Sequence, residues 1–246
     1  MRVWHVVNSG LGDRVLREAL VISVACAVIG VSYGVLATSV GLSPLMTAAT
    51  SLLIFSGGSQ FAAVGVIAAG GSPIAAVLSG LLLAGRFLGF GTAVIPWMPD
   101  GLGRRAVASH LVIDESVAMA LGWAATDGPH AARRAFWSTG AGICGFWQIG
   151  TWIGVLAGQN LGDPGALGLD AAFPALFLAL LAPLVRSRRE VVAAVAGALI
   201  AILLVPVAPA GVPIIASAGG VLVALSVPRA EGRSRPAAAP DAQSDP

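Results

Sequence analysis

Seven residues at 55–61, FSGGSQF, place glycines and polar side chains in the middle of an apolar run. Gly57 and Gly58 each cost about 1 kcal/mol in a helix interior relative to alanine, and Ser59 and Gln60 add polar atoms at membrane depth. One interpretation is close helix packing by small residues, with an interhelical hydrogen bond. The other is a helix break, where the start of a new helix presents N–H donors to a carboxylate. The pattern favours the break, because Gly-Gly followed by Ser-Gln is more polar than packing requires.

Arg86 interrupts the next apolar run, at 81–95. An arginine in the middle of a membrane costs at least ~2.5 kcal/mol on insertion scales. One alternative is that Arg86 lies near the membrane face and extends its charge outward. Its neighbours Gly85 and Phe87 are not typical of an interface. We therefore expect Arg86 to form a buried ion pair or to contact a substrate directly.

A third polar interruption contains His110, Asp114 and Glu115. In one helix over 106–125, His110 and Asp114 would share a face, and Glu115 would point about 100° away from Asp114. Two adjacent carboxylates in a span are expensive, so at least one should be paired or exposed to water. Arg86 could neutralise one of them, or a shallow helix could hold both near the surface. Otherwise the acids, with His110, are candidates for a substrate-ammonium or proton site, since a desolvated carboxylate can take up a proton near neutral pH.

The composition is that of a membrane protein. Of 246 residues, 57% are hydrophobic and 11% charged, against about 25% charged residues in soluble domains. The net charge is only +2, and the basic residues, all arginine, are scattered, so no nucleic-acid partner is expected. Cys26 and Cys144 lie in apolar runs and are expected to be packing thiols, with no metal site and no cofactor. No GxxxxGK[ST] loop occurs, so direct use of ATP is not expected.

The apolar runs are continuous rather than alternating, which predicts an all-α, polytopic membrane protein rather than a barrel. About 20 helical residues cross the hydrocarbon core. The predicted domains are a cytoplasmic segment at 1–18, a transport domain at 19–227 and a disordered, Pro- and Ala-rich tail at 228–246. Eight spans are predicted at 19–38, 44–70, 73–95, 106–125, 136–158, 171–185, 191–207 and 211–227.

Arginine-rich loops tend to face the cytoplasm, and a cytoplasmic N-terminus puts Arg133 and Arg134 inside. Arg104 and Arg105 would then lie outside. A re-entrant or broken span within 44–95 would remove this conflict and leave seven spans. It would also move the N-terminus outside, against its own arginines, so eight spans are the prediction and seven the alternative.

A weak internal similarity in the sequence is compatible with inverted repeats that carry broken or re-entrant helices. A polar or proline-containing loop leads into an apolar span at Ser43–Pro44, and a comparable arrangement recurs at Asp163–Pro164, ahead of Phe173–Pro174. Transporters often carry discontinuous helices at matching positions of two repeats. Proline in the first turn of a helix is ordinary, so Phe173–Pro174 by itself predicts only where a helix begins.

These interruptions, in this order, resemble the AzlC family, the larger subunit of bacterial branched-chain amino acid exporters. The resemblance implies a multi-pass protein of the bacterial inner membrane, not an enzyme, with a small AzlD-type membrane subunit as its partner. The family usually has His and later Tyr where this sequence has Phe87 and Phe90, so substrate range or proton coupling can differ. The matching features are LSPL at 42–45, FSGGSQF at 55–61, Arg86, IDESVA at 113–118 and FPALFLALL at 173–181.

The expected function is therefore secondary export of branched-chain or other hydrophobic amino acids, driven by an ion gradient. Backbone groups around Gly57–Gln60 would hold the substrate carboxylate. Asp114 or Glu115 would face the ammonium or carry a coupling proton, and Arg86 would position an acid or hold the carboxylate.

Two other classes of function remain as alternatives. One is a channel or a structural membrane subunit. The other is an intramembrane hydrolase, with Ser56 or Ser59 as nucleophile and His110 as base. No convincing nucleophile motif surrounds either serine, which makes the hydrolase the weaker alternative.

Overall fold

The computed structural model describes residues 2–160 and 187–228 and the single positions 178, 181 and 185, with side chains from Gly12 onward. These residues form helices and connecting turns, and none of them lies in a strand. The helices are α1 (Arg2–Ser39), α2 (Pro44–Ile54), α3 (Gly57–Ala68), α4 (Pro73–Ala84), α5 (Arg86–Val94), α6 (Leu102–His110), α7 (Asp114–Asn160), α8 (Arg188–Leu204), α9 (Val212–Ser217) and α10 (Gly219–Leu225), with a 3₁₀ turn at Ile95–Trp97.

Three helical segments of the described chain are long and apolar enough to cross a membrane: Gly12–Ser39, Pro73–Trp97 and Asp114–Asn160. Three apolar segments are shorter, at Pro44–Ile54, Gly57–Ala68 and Val212–Leu225. At about 1.5 Å per residue, a helix of 12 residues covers less than the ~30 Å of the hydrocarbon core. The described chain is therefore helical and apolar enough for a membrane protein, with several helices too short to cross the hydrocarbon core alone.

The break predicted at FSGGSQF is observed. Helix α2 starts where Ser43 accepts a hydrogen bond from the Met46 N–H at 3.2 Å, and it ends at Phe55. Phe55 adopts a left-handed backbone with φ of 39°, a conformation that non-glycine residues rarely take up. Ser56 is extended, and α3 starts at Gly57. The predicted span 44–70 is thus two short helices.

The prediction of one helix over 106–125 is wrong. Helix α6 ends at His110 and α7 begins at Asp114. The Ser116 hydroxyl accepts from the Ile113 N–H at 3.1 Å and donates to the Leu111 carbonyl at 2.6 Å, so it holds the turn between the two helices. Carboxylates in a first turn are favoured by the helix dipole, which explains why the acidic pair begins a helix rather than lying inside one.

The predicted loop between the spans 106–125 and 136–158 is observed as a break at Gly128, because the segment α7 (Asp114–Asn160) is two helices that meet there. The helix is kinked at Gly128, where φ is 83° and ψ is −172°, next to Pro129. Glycine accepts this positive φ and proline lacks the N–H that a straight helix would use. The two predicted spans are thus separate helices, joined by a kink rather than by a long loop.

The remaining predicted boundaries differ in smaller ways. Helix α1 begins at Arg2, well before the predicted start at 19. Helix α8 covers most of the predicted span 191–207, starting from a capping box between Ser187 and Glu190, and the span 211–227 is divided at Ala218. The span 171–185 lies almost entirely outside the described residues, as do Phe173–Pro174, Asp163–Pro164 and the tail from 229.

Helices α1 and α7 pack against each other at backbone distance. A Cβ on Gly34 would meet the Thr151 carbonyl oxygen, and one on Gly154 would meet the oxygen of Val31. Small residues spaced four apart allow such approach in membranes, where close packing rather than the hydrophobic effect holds helices together. This pair forms the frame against which the broken helices α2 and α3 are placed.

Candidate functional site

Arg86 and Asp114 form an ion pair between the start of α5 and the start of α7. The guanidinium Nε lies 3.0 Å from Asp114 Oδ1, and Nη2 lies 2.8 Å from Oδ2. Nη1 donates to the Leu83 carbonyl at 2.9 Å. The two side chains are 31% and 46% exposed, so water or a ligand can reach them. Among the alternatives that the sequence leaves open for Arg86, the structure shows the ion pair, with Asp114 as the partner.

The guanidinium lies beside the N-terminus of α3. A Cβ on Gly58 would be 3.3 Å from Nη2 and 3.4 Å from Nη1 of Arg86. Asp114 and Leu83 engage three of the five N–H groups of the guanidinium, which leaves two for another acceptor. Glycine at position 58 thus lets the guanidinium lie close against the helix start, whereas a methyl group there would move it by a few tenths of an ångström.

The N-terminus of α3 is uncapped. The first intrahelical bond runs from Gln60 N–H to the Ser56 carbonyl at 2.9 Å, so the N–H groups of Gly57, Gly58 and Ser59 have no acceptor in the helix. The Ser56 hydroxyl gives no cap, because it donates to Ser59 Oγ at 3.0 Å instead. Unpaired N–H groups and the helix dipole favour an anion at this point.

Gln60 is buried next to this helix start, at 1% exposure. Neither its amide nitrogen nor its amide oxygen has a hydrogen-bond partner among the described residues. The Tyr33 hydroxyl, which shares a hydrogen bond with Thr50 Oγ1 at 2.7 Å, is also close enough to the Gln60 side chain to interact with it. The amide therefore has Tyr33 as a polar neighbour and further hydrogen-bonding capacity for a ligand.

Tyr33 and Trp147 complete the wall around this segment, and the sequence analysis missed both. Their rings stack at 6.3 Å between centroids, and a Cβ on Gly57 would lie 3.0 Å from the Trp147 ring. Tyr33 is the single tyrosine of the chain, which was a usable signal. Nothing in the sequence distinguishes Trp147 from the other tryptophans, since only the packing of α7 on α1 brings it here.

Glu115 points away from the ion pair, into a cavity of about 710 Å³ between α1 and the first part of α7. Arg14, Glu18 and Asp127 line the same cavity. The ion pairs of the described residues join Arg86 to Asp114 and Arg105 to Asp100, and Glu115 belongs to neither. The two adjacent acids thus have different environments, one paired and one facing a cavity.

His110 does not share a helix face with Asp114, contrary to the sequence analysis, because α6 ends between them. Its ring stacks on Phe55 at 5.4 Å between centroids. In the described part of the chain, no hydrogen bond joins His110 to Ser56 or Ser59, so the geometry of a serine nucleophile with a histidine base is not present. Nor do the described residues contain a group of three His, Cys, Asp or Glu side chains that could hold a metal ion.

Comparison with known proteins matches more than half of the chain. Residues 21–161 match the family model described as AzlC protein. The inner membrane protein YgaZ of Escherichia coli (strain K12) is 28% identical over 195 residues, which cover 76% of this chain and 79% of that protein. No solved structure matches the chain. The family match covers the break between α2 and α3, the turn between α6 and α7, the Arg86–Asp114 pair and Glu115, and the chain belongs to the AzlC family.

Proposed function

We propose that this protein is the larger subunit of a secondary exporter that moves branched-chain or other hydrophobic amino acids out across the bacterial inner membrane. The observation that carries the proposal is the position of Arg86, which is held by Asp114 against the uncapped start of α3. Donors for a carboxylate and a carboxylate for an ammonium thus lie side by side. A free amino acid carries both a carboxylate and an ammonium group, so it can use both kinds of partner.

The substrate carboxylate would bind at the start of α3. The N–H groups of Gly57, Gly58 and Ser59 are free to donate, and the two remaining N–H groups of Arg86 lie beside Gly58. Interrupted helices whose N-termini face an anionic group recur at transporter sites. The buried Gln60 amide, whose polar neighbour is Tyr33, would give a further hydrogen bond to the same ligand.

Asp114 would receive the substrate ammonium. Its carboxylate accepts from Arg86 through both oxygens, and a carboxylate has about four lone-pair sites. One or two sites therefore stay open on a side chain that is 46% exposed. Arg86 in this scheme orients Asp114 and contacts the substrate carboxylate at the same time.

Glu115 would carry the coupling proton. It forms no ion pair among the described residues, and it faces a cavity lined by Arg14, Glu18 and Asp127. A carboxylate that is not held in an ion pair can exchange a proton without breaking one. His110 is the weaker proton candidate, because its ring is stacked on Phe55.

Export would also require a small AzlD-type membrane subunit, as the family resemblance implies. Many apolar side chains of the short helices lie outward, for example Leu53 at 75% and Leu222 at 71% exposed. Lipid or a partner helix could cover such surfaces equally well. Co-expression with the small subunit is therefore part of the test.

Counterflow in proteoliposomes tests the proposal. Vesicles that contain the protein, with and without the small subunit, are preloaded with leucine and given labelled leucine outside. We expect saturable accumulation that Arg86→Lys abolishes and Arg104→Lys preserves, because lysine cannot reproduce a bidentate fork. Linear, non-saturable flux would favour the channel alternative. Absence of flux, together with labelling by a fluorophosphonate at Ser56 or Ser59, would favour the hydrolase.

A further inference from the structure

A second cavity, of about 590 Å³, opens beside the Arg86–Asp114 pair. Its volume falls within the range of roughly 300–1,000 Å³ that is usual for small-molecule sites. The polar part of its wall comes from α6, with Arg105, Ser109 and His110. Most of the wall is apolar, and includes Phe55, Ala84, Phe87, Gly91, Met98 and Val112.

The wall from α4 and α5 is one helical face. Ala84, Phe87, Leu88, Gly91 and Ile95 all line the cavity, and their spacing of three or four residues is that of a single face. Helix α5 therefore presents an apolar stripe to this space. Exposed residues of that stripe, such as Leu88 at 81%, form its open rim.

The cavity and the charged site share a wall. Arg86 Cζ lies 5.0 Å from the centre of the Phe87 ring, and Phe87 lines the cavity. Phe55 also lines it and directly precedes the Ser56 cap of α3, while Val112 lies two residues before Asp114. The break between α2 and α3, the passage from α4 to α5 and the turn before α7 thus place an apolar space next to groups for a carboxylate and an ammonium. Such an arrangement complements a zwitterion with an apolar side chain.

We propose that this cavity holds the aliphatic side chain of the transported amino acid, and that Phe87 and Gly91 set the largest side chain accepted. The inference rests on the proposed function, because it assumes that the charged groups of an amino acid bind at Arg86, Asp114 and the start of α3. It adds to that function the residues that determine which side chains the transporter accepts. A side chain added at Gly91 should occupy the space that a large substrate needs.

Helix α5 offers a matched pair of glycines for the test. Neither Gly89 nor Gly91 has an atom within 4 Å of the position of a Cβ, so α5 can accept a side chain at both. Only Gly91 lines the cavity. The two residues are about 200° apart around the helix, so a side chain at Gly89 projects away from the cavity. Gly91→Leu is therefore the test and Gly89→Leu the control.

The experiment measures counterflow of labelled alanine, valine, leucine and methionine by the complete transporter in proteoliposomes. Gly91→Leu should lower leucine and methionine transport relative to alanine by about 10-fold or more, within the range of ~10–200-fold that a misfit of methylene size gives. Gly89→Leu should keep the wild-type ratios. In the opposite direction, Phe87→Leu enlarges the cavity and should favour the larger substrates.

The outcomes separate this inference from the proposed function. Wild-type substrate ratios in both Gly91→Leu and Phe87→Leu would overturn the cavity assignment and leave amino acid transport standing. A wild-type protein that transports none of the four amino acids would overturn both. If Gly91→Leu does not fold, as judged by size-exclusion profile in detergent, the direction of the shift in Phe87→Leu decides.

Discussion

The guanidinium of Arg86 holds both carboxylate oxygens of Asp114, 28 residues further along the chain, at 2.8–3.2 Å. Each residue starts a helix, α5 and α7 respectively. The free N–H groups at the start of a helix stabilise an acidic side chain there, as for Asp114 at the start of α7. The pair therefore joins two helix starts, and through Gly58 it adjoins a third.

The Arg86–Asp114 pair predicts non-additive effects of substitution. Arg86→Ala leaves a carboxylate without its partner, and because the two side chains are 31% and 46% exposed it should lower stability by only about 0.2–1 kcal/mol; Asp114→Ala should have a similar effect. The double variant removes both charges and should recover part of this loss, as thermal unfolding in detergent would measure. Arg104→Ala, at an exposed position, is the control. Additive losses in the double variant would contradict a direct pair. The two single variants and the double variant should all be unable to transport.

Gly58→Ala should weaken substrate binding. The new methyl group would lie 3.3 Å from Arg86 Nη2, so the guanidinium would have to shift by a few tenths of an ångström. Loss of one hydrogen bond to a charged group, about 1.5–3 kcal/mol, corresponds to roughly 10- to 150-fold weaker binding of leucine.

Gly65→Ala in the same helix is the control for Gly58→Ala, since nothing lies within 4 Å of a Cβ there. Binding measured by competition in counterflow should be unchanged in this variant. Equal binding by both variants would show that the guanidinium is not positioned by Gly58.

Glu115→Gln should separate exchange from driven transport. Glutamine keeps the size of the side chain but cannot take up a proton, so counterflow between equal pools should persist while export driven by a pH gradient is lost. Asp114→Asn should lose both activities, because it removes the group proposed to bind the ammonium. Asp100→Asn, whose side chain is fully exposed, is the control. Driven export by Glu115→Gln at the wild-type rate would remove Glu115 from the coupling step.

Gly154→Ala should destabilise the contact between α1 and α7. The methyl group would meet the Val31 backbone oxygen, and backbone cannot move aside as a flexible side chain can. Overpacking of this kind costs about 1–3 kcal/mol. Gly145→Ala, with open space at the Cβ position, should be neutral or stabilising by up to about 1 kcal/mol, because alanine is the better helix former. Melting temperatures in detergent that rank the two variants the other way would contradict the packing.

The sequence by itself determined the class of protein and the location of its polar interruptions. Composition and continuous apolar runs determine membrane residence, because no water-soluble core could bury so much apolar surface. The break at FSGGSQF was also predictable, since two adjacent glycines followed by polar residues disfavour a continuous helix. Arg86, Asp114 and Glu115 were identified as the unusual residues, because charges in a membrane are costly wherever they lie.

Only the tertiary structure decided how these residues are arranged. Helical spacing placed His110 and Asp114 on one face, but three non-helical residues separate their helices. The same spacing could not determine that Asp114 pairs with Arg86 while Glu115 faces a cavity beside α1. Nor did any local pattern identify Tyr33 and Trp147 as neighbours of the break. Periodicity describes one helix at a time, whereas ion pairs, cavities and glycine contacts depend on where several helices end in three dimensions.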